Sequence, residues 1–336
     1  MYTPEYTITN KMLESLTKIE YLRAIAETKS IFLSWQKNLQ KEARVNFIKA
    51  NLNLLGIQTD IEEIKRFVDG LSKNPADLVK NIEKSMNYSQ LLAQSFETKE
   101  KGIQNMYRII TDGKRSDSPA PYRQEKIKGK TEPEEILAEM TGLIDWLNSL
   151  DGAETHPLIK AAIIKANIMK IAPFKNYHEL LGNLISYQIL KVSKYDIKGL
   201  CHLEMAYCKD LAGYRKARKD LEQKEADDEE EEEDLTEWID FYLRTMASEA
   251  TTKKEEFLLL SKDTKIAAAT GKAKLSRRQE KIVAYLQDYG TLQNKDFERL
   301  FPKISEDTVL RELKKLVNWE IIVKKGKTKS SQYELK

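Results

Sequence analysis

The stretch APFKNYHELLGN, Ala172–Asn183, holds the chain's best candidates for chemistry. His178 beside Glu179 puts a base next to a carboxylate, the minimum for general acid–base work. The stretch leaves one apolar helical segment and enters the next, a place where backbone N–H groups can cradle phosphate. Residues one apart on a helix do not face each other, so a structural His178 is the first reading. His156 and His202 also read as structural. Cys201, His202 and Cys208 lack the close C-x-x-C spacing of a zinc site, and the two cysteines fit one helix face as core residues. No metal or cofactor is expected. The third candidate set is a run of lysines and arginines near the C-terminus, which suits an anionic partner.

The elements that must position these residues are helical. The 336 residues suggest two or three domains, and 13 glycines with 8 prolines argue against a turn-rich β fold. HPLIKAAIIKANIMKIA and HELLGNLISYQILKVSKYDI flank the loop and are apolar on most faces, so both belong inside a bundle. Near the N-terminus, Leu13, Leu16, Ile19, Leu22 and Ile25 fall on one helical stripe. Asn74-Pro75 reads as a cap followed by proline at the first helical position. Residues 112–133 form a polar loop with three prolines and room for a short hairpin. LTEWIDFYLRTMASEATTKKEEFLLL is the last long helix before a polar, basic linker, Ser261–Lys274.

Net charge is +3, but Asp227–Asp234 is an unbroken acidic run, read as a solvated, self-repelling loop. Lys274–Lys336 carries 15 Lys and Arg against 9 Asp and Glu. In that segment Ser276 caps a helix bearing Ile282, Val283 and Leu286, and Gly290 ends it. NKDFERLF is a short second helix, interrupted by Pro302. Ser305 caps a third helix with Leu310, Leu313 and Val317 inward, and EIIVKKGKTKSSQYEL is a β-hairpin. Three helices and a basic hairpin resemble a winged helix-turn-helix. That resemblance places Ser305, Thr308 and Arg311 at base edges of double-stranded DNA. It places Lys314, Lys315, Lys324, Lys325, Lys327 and Lys329 at phosphates. Glu306 and Asp307 favour the helix dipole and would repel phosphates, although an acid there can accept from cytosine. The other reading of this module is a protein-docking winged helix.

The order of segments before it resembles Fic-domain proteins, which transfer AMP from ATP to a protein hydroxyl. THPLIKAAIIKANIMKIAPF looks like the helix entering the Fic loop, and DLTEWIDFYLRTMA like the helix that follows the core. APYRQEKIKGKTEPEEI sits where the family carries its target-docking flap. EYTITNKMLESLTKIEYLR resembles the start of larger Fic proteins that end in a winged helix. The family motif is H-P-F-x-[D/E]-G-N-G-R-x-x-R: a base, a Mg²⁺-holding acid, an anion nest of glycines, and charge-neutralising arginines. Only Pro173 and Phe174 match it. Ala172 stands at the base, Asn176 at the acid, Tyr177 and Glu179 at glycines, Leu180 and Asn183 at arginines, and His178 at the motif asparagine. The Cβ of Tyr177 and of Glu179 is expected to limit positive φ, and Glu179 to set a negative charge against any phosphate. The family's inhibitory S/T-x-x-x-E-G/N corresponds to ANLNLLGIQT, which keeps Gly56 but has Leu55 at the glutamate, expected to face Leu180. The resemblance therefore implies a Fic-like bundle without transfer chemistry.

The expected fold is mainly α: an N-terminal helical region (1–100), a degenerate Fic-like core (101–262), a linker (263–273) and a winged helix (274–336). The expected function is that of a bacterial or archaeal DNA-binding regulator, a homodimer with a non-catalytic body for sensing or partner binding. A protein partner at the flap is allowed for. The alternatives are a Fic-type enzyme with residual or altered nucleotidyl or phosphoryl transfer through His178, and a protein-interaction adaptor. No apolar run approaches the ~20 residues that cross a bilayer and no signal peptide is read, so a cytoplasmic location is expected.

Overall fold

A computed structural model describes residues 2–29, 31, 33–72, 75–93, 99–111, 121–200, 202–223, 234–261, 266, 275–326 and 331–336. The fold is mainly helical. The chain forms two compact units, Met1–Arg23 with Gln40–Lys253, and Ala24–Leu39 with Lys254–Lys336. Their boundaries fall inside α1 (Asn10–Thr28), α2 (Leu33–Leu54) and the last long helix.

At the centre of the first unit lie the two helices that carry almost no polar surface. In α8 (Pro157–Ile171) every residue from Leu158 onward except Lys160 is buried, and in α9 (His178–Val192) the same holds from Leu180 to Leu190. His156 caps α8, its Nδ1 accepting from Leu158 N at 3.3 Å, and Pro157 follows at the first helical position. Gly182 lets the pair close. A Cβ there would lie 3.4 Å from both the Cγ and the carbonyl oxygen of Lys165. Around this pair run α3 (Ile61–Val68), α4 (Asp77–Leu92), α5 (Glu100–Ile110), α6 (Ile136–Asn148) and α7 (Leu150–Glu154). They are joined by α10 (Glu204–Lys209), α11 (Leu211–Gln223) and α12 (Thr236–Leu260). Buried polar side chains tie these helices to the central pair. Ser89 of α4 donates to Leu184 O at 3.0 Å, Trp238 of α12 donates to Ala162 O at 2.9 Å, and Ser186 and Tyr242 share a hydroxyl bond of 2.7 Å.

Several local expectations are corrected. The buried stripe of α1 is Met12, Ser15, Ile19, Leu22 and Ala26. Ile19 and Leu22 lie on it as expected, whereas Leu13 is exposed and Leu16 and Ile25 are half-buried. Helix α4 starts at Asp77 with Ala76 at its N-cap, so Pro75 precedes the helix rather than opening it, and Asn74 lies outside the described residues. Residues 121–133 hold turns and no strand; residues 112–120, Cys201 and Asp227–Glu233 lie outside the description. Asp234 is described, and its Oδ1 accepts from Thr236 N at the start of α12.

The C-terminal part of the second unit runs α13 (Arg277–Tyr289), β1 (Thr291–Gln293), a 3-10 turn (Asn294–Asp296), α14 (Phe297–Leu300), α15 (Glu306–Asn318), β2 (Ile322–Lys325) and β3 (Gln332–Leu335). The sheet is antiparallel in the order β1-β3-β2, with Leu292 opposite Tyr333 and Ile322 opposite Leu335. Strand β1 has only three residues, too few for alternation to announce it in the sequence. Ser276 and Gln279 form a reciprocal capping box, and Gly290 (φ +78°) ends α13. The inward residues of α15 are Val309, Leu313 and Leu316, with Leu310 and Val317 only half-buried. The buried face is turned by one residue from the expected one.

Candidate functional site

The connection from α8 to α9 is built by two residues in the left-handed region. Ala172 (φ +45°) closes α8, its N–H donating to Ile168 O at 3.0 Å, and Tyr177 (φ +61°) precedes α9. This corrects the expectation for Tyr177: it adopts the positive φ despite its Cβ, at a cost of roughly 1–2 kcal/mol that the surrounding packing must offset. Glu179 is helical, in the first turn of α9. Its carboxylate meets Arg218 of α11 at 3.0 Å instead of standing open to an incoming anion.

The turn is held from three sides. Phe174 stacks on Tyr107 of α5 with ring centroids 4.0 Å apart and 5° between planes, and Tyr122 lies tilted over it at 5.6 Å. The Tyr107 hydroxyl donates to Asn176 Oδ1 at 3.0 Å, and Tyr122 donates to Glu100 at 2.7 Å. Arg123, buried in the segment after residue 120, gives the firmest contact. Its guanidinium donates to Ala172 O (2.7 Å), Ile171 O (3.2 Å), Glu125 O (2.7 Å) and Thr131 O, and its backbone N–H reaches Pro173 O at 3.0 Å. Lys130 adds a bond to Met169 O at 2.8 Å. The last carbonyls of a helix have no partner within it and carry the negative end of its dipole, so two cations here satisfy both needs. Nothing in the spacing of APYRQEK signals that role. The general rule that an exposed helix C-terminus calls for a cation was the one clue available.

His178 opens α9 half-buried, with its Nδ1 unbonded among the described residues. Burial, then the charges of Lys130, Arg123 and Arg218, push its pKa down to about 4. Its ring is therefore neutral near pH 7 but a weak base, and Glu179 is engaged by Arg218. Leu180 and Asn183 are buried in α9, and Asn183 donates to Asn51 Oδ1 of α2 at 2.8 Å. This buried amide pair is the hydrogen bond that joins the Asn51–Gly56 segment to α9. Leu55 is half-buried, and Gly56 takes φ +76°. Beside that segment is an open polar hollow of about 490 Å³, lined by Lys49, Asn53, Gln58, Thr59 and Asp60.

Behind the turn sits a group of charges that sequence reasoning missed. Lys165 is 1% exposed, and its Nζ lies 3.9 Å from the Tyr207 ring centre, 5.1 Å from that of Tyr214 and 5.8 Å from that of Trp238. It finds no hydrogen-bond partner among the described residues. Burial pushes its pKa down, opposed by Glu179 and Glu204, while burial of Glu204 pushes that carboxyl up, opposed by Lys165. Each charge limits the desolvation cost of the other, and the aromatic faces add cation–π attraction. The signal was available in IIKANI, since a lysine in a helix apolar all round has nowhere to go but inward. His202 is also fully enclosed, against Phe47 and Tyr187, with neither ring nitrogen bonded among the described residues. His156 lies near Glu20 and Tyr195.

No family model matches this sequence, and no curated protein matches it. Solved structures do. A Fic family protein from Desulfovibrio desulfuricans G20 aligns over 100% of this chain and 98% of its own, with a TM-score of 0.63 at 16% identity. Fic-1 (residues 134–508) from C. elegans aligns over 74% of this chain and 72% of its own, with a TM-score of 0.56 at 14% identity. This chain has the Fic fold. In it, the turn Ala172–Tyr177 is the segment whose sequence resembles the Fic loop.

The second candidate site is α15. Ser305 sits at its N-cap, but its hydroxyl bonds the Thr308 hydroxyl (2.9 Å) rather than a backbone N–H, which corrects the capping expectation. Lys315 pairs with Glu312 at 3.3 Å and Lys325 with Glu334 at 2.6 Å. Lys324 lies over the Tyr333 ring at 5.9 Å. Arg311 and Lys314 are exposed and have neither ion pair nor hydrogen bond among the described residues. Lys327 and Lys329 lie outside the described residues. Among the described residues no helix is long and apolar enough to cross a membrane.

Proposed function

We propose that the chain is a cytoplasmic DNA-binding regulator whose Fic-fold body serves sensing, dimerisation or partner binding and performs no transfer. The observation that carries this reading is the exposed face of α15, where Arg311 and Lys314 stand without partners among the described residues. They share their unit with a lysine-bearing hairpin, in the helix and strand order of a winged helix. Such a unit sets a helix in the major groove, with lysines along the backbone on either side. As a homodimer the chain would present two such helices to half-sites about one helical turn apart. For the body, Ala172 carries no proton acceptor, Asn176 no charge for Mg²⁺, and Arg123 and Glu179 are committed within the chain. The hollow beside Asn51–Gly56 is the place for a small polar effector, since Asn51 is bonded to α9.

The test is duplex binding across a range of salt concentrations. Lys314→Ala and Lys324→Ala should each flatten the slope of log K against log salt by about 0.9. A slope unchanged in both variants would remove α15 and the hairpin from the interface.

The enzyme reading keeps one observation in its favour: a neutral His178 whose Nδ1 is unbonded among the described residues, close to Lys130, Arg123 and Arg218. Calorimetry with ATP and Mg²⁺ separates the two readings. The regulator reading predicts no heat at millimolar ATP, whereas saturable binding abolished by His178→Ala would favour transfer.

A further inference from the structure

The first turns of α15 hold six polar side chains, and their engagements differ. Glu306 is drawn back by Asn294, whose Nδ2 donates to its Oε1 at 2.9 Å. Ser305 and Thr308 occupy each other, and Glu312 is taken by Gln279 (2.7 Å) and Lys315. Asp307 and Arg311 remain. Both are exposed, and neither has a hydrogen bond or an ion pair among the described residues, with each other or with any neighbour. They stand four positions apart on one face, about 6 Å along the axis, and Lys314 continues that face one turn further.

Resting on the DNA-binding reading above, we infer that Asp307 and Arg311 together read a C·G-containing step in the major groove. Arg311 donates to guanine O6 and N7, and Asp307 accepts from cytosine N4–H. A carboxylate can only accept, and among major-groove edges it is satisfied by an exocyclic amine; a guanidinium only donates, and matches the two acceptors of guanine. Six ångströms along the helix spans about two base-pair steps, so the two bases belong to neighbouring pairs. Asp307 has a second effect. Next to any sequence lacking the amine it is a negative charge near phosphates and acceptors, so it weakens binding to unrelated DNA more than to the site. The acid at the start of this helix is a source of discrimination rather than a defect in a basic surface.

The experiment is selection of bound duplexes from a randomised pool with the full chain, followed by titration of the selected site and its single-base variants. The wild-type chain should enrich a site with C and G within two base pairs. Asp307→Ala should lose discrimination at the cytosine by about 5- to 150-fold. It should leave the guanine preference intact and bind unrelated duplex more tightly than wild type. Arg311→Ala should lose discrimination at the guanine while keeping the preference at the cytosine. Both side chains are exposed, so thermal unfolding should shift by no more than the small helix-dipole contribution of Asp307, and it serves as the folding control. An enriched site whose C and G preferences survive both substitutions overturns this inference and leaves the regulator reading standing. Failure of the wild-type chain to enrich any sequence overturns both.

Discussion

Arg123 and Arg311 carry the same guanidinium in opposite circumstances. Arg123 is buried, and its donors are spent on the carbonyls of Ile171, Ala172, Glu125 and Thr131. Arg311 is exposed on α15 and spends none among the described residues. The contrast extends to the carboxylates around them. Glu179 at the Fic-fold turn is paired with Arg218, whereas Asp307 at the start of α15 has no partner among the described residues. A group whose bonding capacity is already used inside the chain stabilises the fold and has little left for a ligand. An unpaired charged group in water costs little to keep, and it is the kind that recognises a partner. Under the proposed function, recognition falls to the second unit and structure to the turn of the first.

Arg123→Ala leaves a cluster of carbonyls without donors beneath a buried segment, and should cost about 3–5 kcal/mol in urea unfolding. A loss under ~1 kcal/mol would mean that water replaces the guanidinium and the turn is not held by it. Gly182→Val forces a side chain against Lys165 in the α8–α9 contact and should cost about 1–3 kcal/mol by the same assay. No loss would show that the two helices can separate without penalty.

His202→Phe should change the pH dependence more than the stability at neutral pH. Burial pushes His202 down to about 3, so it stays neutral in the folded chain while the unfolded chain protonates near 6.5. The unfolded state then binds the extra proton, and wild-type stability is lost as pH falls from about 6.5 towards 3. The phenylalanine variant lacks that loss. It should match or exceed wild type at pH 7, where the two unbonded ring nitrogens are replaced by carbon in an aromatic pocket. Unfolding midpoints of both proteins between pH 7 and pH 5 should diverge, and parallel curves would mean that the ring is hydrated. Arg311→Ala should be the smallest in stability, within about 0.5 kcal/mol of wild type. A larger loss would place Arg311 among the structural cations and erase the contrast with Arg123.

The sequence made some of this architecture legible. Apolar residues on every face announced α8 and α9 as the buried pair, and Ser276 with Gly290 marked both ends of α13. What stayed hidden was decided by contacts between distant residues. Arg123 finds carbonyls 48 and 49 positions away, and Asn183 finds Asn51 at 132. The positive φ of Tyr177 is imposed by its surroundings against local preference, so residue type argued the wrong way. The α1 and α15 stripes were only partly legible: Ile19, Leu22 and Leu313 lie on them as expected, but spacing alone did not single out Met12, Ser15, Val309 and Leu316, which the packing buries. Lys165 could have been read from its apolar neighbours, but the aromatic box around it comes from α10, α11 and α12.

The proposed recognition by α15 is tested by titrating the full chain against DNA upstream of its own gene and against a scrambled duplex, at low and near-physiological salt. The account predicts a preference of ~10³ or more for the upstream DNA that survives the higher salt, and its collapse in the Asp307→Ala/Arg311→Ala double variant. Equal binding of the two duplexes, lost together as salt rises, would contradict it and leave α15 a surface for general anions or for protein.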